Sequence, residues 1–280
     1  PALILAKKYD NFILPAPNGF GLGSSKNYYF SHMYNCIYDC RYCFLQGMFS
    51  SANYLVFVNF EDFYKAIKDT IIANSAEKMT FYSGYDCDSL AFEKVTGFAG
   101  CTIPFFSKYS DAEIEFRTKS VNLDPFMTGK VVQNCIVAFS LMPEVLANKL
   151  DRKAPSIRSR IDAIKILARK GWSVGLRFDP LIYCENWKQL YKDLISEIMD
   201  GLITDKIHSV SHGPLRFPKT MYQNIIKLYP DETLLASPMA ETDGVVGYDK
   251  EIETRMAKYL STELAKRIST DRIFRCAVTA

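Results

Sequence analysis

Three cysteines fall within the stretch NCIYDCRYCF at 35–44: Cys36, Cys40 and Cys43, in a C-x3-C-x2-C spacing. Soft thiolates select iron–sulfur clusters, zinc or copper(I). A structural zinc site takes four ligands, commonly in C-x2-C pairs, and here there are three thiols with no second pair. His32, four residues upstream, could be a fourth ligand, but it is expected on the preceding strand. Three thiolates on a [4Fe–4S] cube leave one iron open to an outside ligand, and Tyr38, Tyr42 and Phe44 are placed to shield such a cube from water. The other five cysteines are scattered singly. That is not the dense framework of a small secreted protein, so the expectation is a reduced, cytoplasmic chain. In it, Cys101, Cys135, Cys184 and Cys276 read as small buried hydrophobes.

Positioning such a loop needs a scaffold. At 280 residues, 48 % apolar and 23 % charged, the chain can build a sizeable core and is not of a disordered class. Its formal net charge of +3 is compatible with a polyanionic partner such as DNA without demanding one. No apolar run approaches the roughly 18 residues of a membrane span, so no membrane association is expected.

Helix-like and strand-like stretches alternate. Asn59 is expected to cap a helix with Phe60, Phe63, Ile67 and Ile71 on one face. Ser156 caps a second, with Ile157, Ile161, Ile164 and Ala168 as its stripe and Gly171 as its stop. A third runs from Asn186 to Gly201, and a last from about Lys250 to Ile268. Strands are expected at 28–33, 78–83, 112–119, 135–141, 173–179, 206–212 and 272–278. This alternation predicts an α/β fold with a mainly parallel sheet, and no G-x-G-x-x-G follows the first strand to suggest a dinucleotide fold. A (β/α) barrel fits, with its chemistry at the C-terminal strand ends. The cysteines follow the first strand, Ser83-Gly84-Tyr85-Asp86 the second, and Lys119, Ser140 and Asp179 each close a strand. His208 and His212, at i and i+4 on a late strand, read equally as packing or polar contacts.

The cysteine spacing with an aromatic before the last cysteine resembles the radical S-adenosylmethionine (SAM) superfamily. The loop and its continuation to Phe63 resemble the spore photoproduct lyase family, light-independent relatives in name of DNA repair photolyases. Further resemblance lies in LAKKYDNFILPAPN near the start, FRTKS at 116–120, AFSLMPEV at 138–145, GWSVGLRFDPLI at 171–182 and GPLRFPK at 213–219. It covers most of the chain, and only the cluster loop is highly specific.

The resemblance implies a partial (β/α)6 TIM-type barrel of the radical SAM kind, a single domain over 1–280 with its cluster loop at 34–46. It also implies more residues before the cluster than the 35 here. By it, Cys36, Cys40 and Cys43 are the cluster ligands, and Tyr42, Lys119 and Ser140 contact SAM. Ser83, Gly84 and Asp86 lie where many radical SAM enzymes receive the methionine amino group. The implied reaction is cleavage of SAM to a 5′-deoxyadenosyl radical that abstracts hydrogen from the substrate. In the spore enzymes that substrate is the 5-thyminyl-5,6-dihydrothymine lesion, and the reductant is of flavodoxin or ferredoxin type.

Two positions depart from the family. Tyr85 stands where the spore enzymes carry a hydrogen-donating cysteine, with Cys87 two residues on as a candidate substitute. Phe44 stands where they carry a tyrosine. These departures leave open a radical SAM enzyme acting on another nucleotide, a peptide or a small molecule. From a different class, a zinc- or cluster-stabilised nucleic-acid-binding module is the rival. Candidate phosphate contacts are Arg216, Lys219, Lys153, Arg158 and Arg160, although most helical Lys and Arg simply face solvent, and Phe217 reads as core rather than a base-stacking ring.

Overall fold

The computed structural model describes residues 1–276. Seven parallel strands form the main sheet: β1 (Lys26–Phe30), β2 (Met79–Ser83), β3 (Ala112–Thr118), β4 (Cys135–Ser140), β5 (Ser173–Leu181), β6 (Ile207–Pro214) and β7 (Ile273–Arg275). Each pairs with its sequence neighbour, and Leu14–Pro15 adds an antiparallel edge to β1. Helices cross between strands, among them α1 (Phe60–Ala73), α2 (Phe98–Phe106), α3 (Glu144–Leu150), α4 (Ile157–Lys170), α5 (Trp187–Met199), α6 (Lys219–Leu228) and α7 (Lys250–Ala265). Consecutive parallel strands in an unclosed sheet are the expected partial barrel. The expected seventh strand is present, with residues 277–278 of that stretch outside the described residues.

The strands read as near-continuous apolar runs because both faces are covered: β2 is buried at every residue and β4 at all but Ser140. The helices bury the predicted stripes. On α4, Ile157, Ile161, Ile164 and Ala168 are all buried, Ser156 Oγ accepts the Ser159 N–H at 3.1 Å, and Gly171 ends the helix at φ +101°.

Three local expectations change. Asn59 precedes α1 but does not cap it. Its side chain instead accepts the Lys8 N–H at 2.9 Å and donates to the Lys8 carbonyl at 2.9 Å, tying the N-terminal strand Leu3–Ala6 to the helix. The first strand stops at Phe30, and Met33–Tyr34 joins a separate small sheet with Tyr54–Phe57 and Leu3–Ala6. Cys101 is exposed, because it sits on the solvent side of α2, whereas Cys135 and Cys276 are buried as expected and Cys184 is half-buried.

Inside the half-barrel the core turns polar. Glu115 on β3 meets Arg177 on β5, with Nη2 to Oε2 at 2.7 Å and both side chains essentially sealed from solvent. Among the described residues no helix is long and apolar enough to cross a membrane.

Candidate active site

The cysteine loop is held in place from three sides. Asn35 takes the left-handed conformation at φ +72°, which asparagine tolerates because its short side chain can bond locally. Its Oδ1 accepts the Cys36 N–H at 2.9 Å, and its Nδ2 donates to the Ser51 and Asn53 carbonyls. Asp39–Cys40 pairs antiparallel with Asp151–Arg152, just after α3. Beyond the last cysteine, Gly47 lies so close to α6 that an added Cβ would fall 2.2 Å from the Met221 carbonyl oxygen, and Asn224 Nδ2 donates to the Gly47 carbonyl at 3.0 Å. Only glycine permits that approach.

Below the loop, at the C-terminal strand ends, lies a cavity of about 390 Å³. Cys36, Cys40, Cys43, Tyr42, Ser83, Gly84, Tyr85, Cys87, Lys119, Ser140 and Asp179 all line it. Residues from five places in the sequence therefore converge on one space. Asp86 does not line it. Its backbone N–H donates to Ser31 Oγ at 3.0 Å, and burial raises its carboxyl's pKa.

All three thiols are free. Burial, followed by the Asp88 carboxylate, pushes the Cys36 thiol up to about 12, and burial raises Cys40 and Cys43 as well. Such thiols ionise only when a cation compensates them, which is what a bound metal centre does. Among the described residues no three His, Cys, Asp or Glu side chains come together closely enough to hold one metal ion. A tetrahedral zinc site needs that convergence. An iron–sulfur cube gives each thiolate its own iron and accepts sulfurs spread more widely around one space, so the donor set fits the cluster better.

Lys119 Nζ stands 5.5 Å from the centre of the Tyr42 ring. Burial pulls its pKa down, but the Cys40 and Asp151 charges outweigh that and hold it above the ordinary lysine value. Asp88, which sequence reasoning missed, fixes this strand end: Oδ1 accepts from Thr118 Oγ1 at 2.6 Å and Oδ2 from the Lys119 N–H at 2.6 Å. Asp151 was missed too. Tyr42 Oη donates to its Oδ1, and Arg160 Nη2 lies 2.7 Å from its Oδ2. Arg160 Nη1 then reaches the Ser140 carbonyl at 2.9 Å. Arg160 is thus not a phosphate contact: it is buried and joins the cysteine loop to the end of β4.

The other basic candidates scatter. Arg158 is exposed and pairs with Asp162 and Glu197, and Lys219 pairs with Glu241 at 2.9 Å. Lys153 lines a separate groove of about 700 Å³ on the outer side of the loop. Arg216 lines the cavity, its Nη2 3.1 Å from Cys276 Sγ and 3.9 Å from Asp179. Phe217 is fully buried core. His32 is buried, stacked on Phe98 at 3.7 Å, and lowered by burial to about 3, which leaves it neutral and outside the cavity lining. His208 contacts Ser209 and Glu113, His212 contacts Ser261, and neither lines the cavity.

A spore photoproduct lyase family model matches residues 23–267. The chain belongs to the spore photoproduct lyase family. It is 23 % identical over 202 residues to the spore photoproduct lyases of Geobacillus sp. (strain Y412MC61) and Bacillus subtilis (strain 168), an alignment covering 71 % of this chain and 59 % of each relative. Solved structures agree in fold. A spore photoproduct lyase complexed with dinucleoside spore photoproduct superposes with a TM-score of 0.84 at 18 % identity, covering 99 % of this chain and 82 % of that one. A double mutant with bound AdoMet and the same dinucleoside gives 0.83 at 18 % identity and the same coverage.

Proposed function

We propose that this member of the spore photoproduct lyase family is a radical SAM enzyme that repairs a DNA lesion of the spore photoproduct kind. One observation carries the reading. The three cysteines, Lys119 and Ser140 line a single cavity at the C-terminal ends of parallel strands, where barrel enzymes place their chemistry. Cys36, Cys40 and Cys43 would hold a [4Fe–4S] cluster. When bound, the cluster and SAM supply the 5′-deoxyadenosyl radical that removes hydrogen from a substrate carbon.

The chain's own groups do the rest. The Lys119 ammonium is positioned for the SAM carboxylate, and Ser140 Oγ, which has no hydrogen-bond partner among the described residues, is available beside it. Ser83 is already committed: its hydroxyl donates to the Glu115 carbonyl at 2.9 Å and contacts Ser89 Oγ, so it shapes the turn at Gly84. Cys87 lines the cavity and is buried. Burial and the neighbouring Cys36 hold its pKa well above the thiol range, so it keeps the S–H hydrogen that it would donate to a substrate radical. Tyr85, also on the wall, lies 4.3 Å from the Tyr29 ring, and it can return a hydrogen atom to the resulting thiyl, its own phenoxyl then being closed by one electron from the low-potential reductant and a proton. The partners that follow are a lesion-bearing DNA strand flipped into the cavity and a low-potential reductant, in the cytoplasm.

The positions of Tyr85 and Phe44 favour a second reading, the same radical chemistry on a different substrate. A nucleic-acid-binding module is disfavoured, because such a module has no use for a cavity shared by three thiols, a lysine and a free serine hydroxyl.

The test is anaerobic reconstitution with iron and sulfide, then dithionite and SAM, with 5′-deoxyadenosine followed by chromatography. Lesion-dependent release of thymine supports the repair reading. 5′-Deoxyadenosine without any effect of the lesion supports the second. A fully loaded cluster that yields none overturns both. Cys87→Ala is expected to leave SAM cleavage intact while lowering thymine release at least tenfold; an unchanged yield removes Cys87 from the reaction.

A further inference from the structure

Alternate residues of a strand share a face. On β3 the inward series is Glu113, Glu115, Arg117 and Lys119. Lys119 reaches the cysteine loop. Arg117, one step deeper, is left without a role by the function proposed above.

Its surroundings are built. Arg117 Nε donates to Glu115 Oε1 at 3.0 Å. Glu115 is itself gripped by Arg177, through Nε to Oε1 at 3.1 Å and Nη2 to Oε2 at 2.7 Å, while Arg177 also donates to Ser209. Burial pushes the Glu115 carboxyl up, but the two guanidiniums outweigh it and hold it down to about 2, so the anchor stays ionised. Of the five N–H donors of a guanidinium, Arg117 uses only Nε–H. Its two terminal nitrogens have no hydrogen-bond partner among the described residues, and the side chain lines the cavity. The Phe20 ring lies 5.1 Å from the guanidinium carbon, and Phe20 meets Tyr82 and Tyr85 edge-on at 5.1 and 6.0 Å.

We infer that Arg117 sets substrate specificity: its free fork reads the carbonyl edge of a planar nucleobase-like ring resting against Phe20 and Tyr85. The inference rests on the proposed function and names the group that recognises its substrate. A guanidinium fork pairs with acceptor atoms in its own plane. Aromatic faces stack on bases without regard to sequence. Guanidinium donors left unused at a cavity wall are satisfied when a ligand brings acceptor atoms. A base flipped into the cavity leaves its phosphates at the rim, which makes a base edge the ligand for a group below Lys119.

The experiment measures binding to the cluster-loaded protein of three probes: dinucleoside spore photoproduct, the same lesion with its internucleotide phosphate, and SAM alone. Arg117→Gln is expected to weaken both photoproduct probes equally, by about 10- to 100-fold, and to leave SAM unchanged. Arg117→Lys, which keeps the charge and loses the fork, is expected to restore less than full affinity. Loss confined to the phosphate-bearing probe, loss of SAM binding, full rescue by lysine, or no change in any probe each overturns the inference. If the wild type binds neither photoproduct, the repair reading fails separately. Thymidine is then the probe, and its binding must still fall in Arg117→Gln for the inference to stand.

Discussion

The cavity has two unlike walls. The wall made by the cysteine loop and the ends of β3 and β4 carries Cys36, Cys40, Cys43, Tyr42, Lys119 and Ser140, the residues to which the sequence resemblance assigns cluster and SAM contacts. The opposite wall, made by the turn after β2, the loop with Phe20 and the body of β3 below its end, carries Tyr85, Cys87 and Arg117, and Phe44 bridges the two, 5.9 Å from Tyr85. Two of these, Tyr85 and Phe44, are the positions where the sequence resemblance leads one to expect other residues. Under the proposed function the first wall would meet the parts that generate a radical, which are the same whatever the substrate. The second would meet whatever that radical attacks. Specificity is therefore sought on the second wall, and the activity class on the first.

That contrast can be broken at its shared foundation. Glu115 supports both walls through β3 and Arg177. Glu115→Gln leaves Arg177 buried without a counter-charge and is expected to cost about 3 to 5 kcal/mol, seen as a fall in the thermal midpoint. The same group predicts a pH effect. Its folded-state pKa is lowered from 4.5 to about 2, so its contribution is fully present above 4.5 and is lost as pH falls through the interval down to about 2. Acid titration of stability should be steeper in wild type than in Glu115→Gln over that window. Equal slopes would show that the pair is not a stabilising unit.

A smaller effect sharpens the first wall. Lys119→Met removes a charge-assisted contact and is expected to weaken SAM by about 1.5 to 3 kcal/mol, measured by titration calorimetry, with the cluster's colour unchanged. Loss of the cluster as well would make Lys119 a structural support of the loop instead. The smallest effect is at Tyr42. Tyr42→Phe removes its hydrogen bond to Asp151, which keeps Arg160 as a partner. The expected cost is about 1 kcal/mol of stability, with SAM affinity changed less than in Lys119→Met.

The wall of the cysteine loop was the more legible. Cys36, Cys40 and Cys43 announce themselves by spacing, and Lys119 and Ser140 by standing at strand ends. Asp88, Asp151 and Arg160 gave no such signal. Asp88 looks like turn chemistry, and Asp151 and Arg160 look like surface charges at the ends of helices. Their roles come from pairings across long separations, as between Tyr42 and Asp151, which no local pattern contains. Arg160 shows the same limit from the other direction. A helical arginine faces solvent by default, and only the arrival of Asp151 beside it makes burial favourable. Asn59 likewise has the residue type and the place of a cap, and its side chain was claimed by Lys8.

By itself the sequence determined the order and type of the elements, because hydrophobic periodicity is set locally by how a helix or strand turns its side chains. It also narrowed the metals that the cysteine loop could take to thiophilic ones, because thiolate softness and ligand spacing are local properties. The tertiary structure decided which polar residues face the cavity and which hold the scaffold. Asp86 faces Ser31, Cys87 borders the cavity while packing on Met33 and Val56, and Asp88 lines it; Arg117 was left with free donors because Glu115, two residues earlier on the same strand, was already bound to Arg177 some sixty residues later. Burial and charge pairing depend on what the fold brings alongside, and that is not written in any one segment.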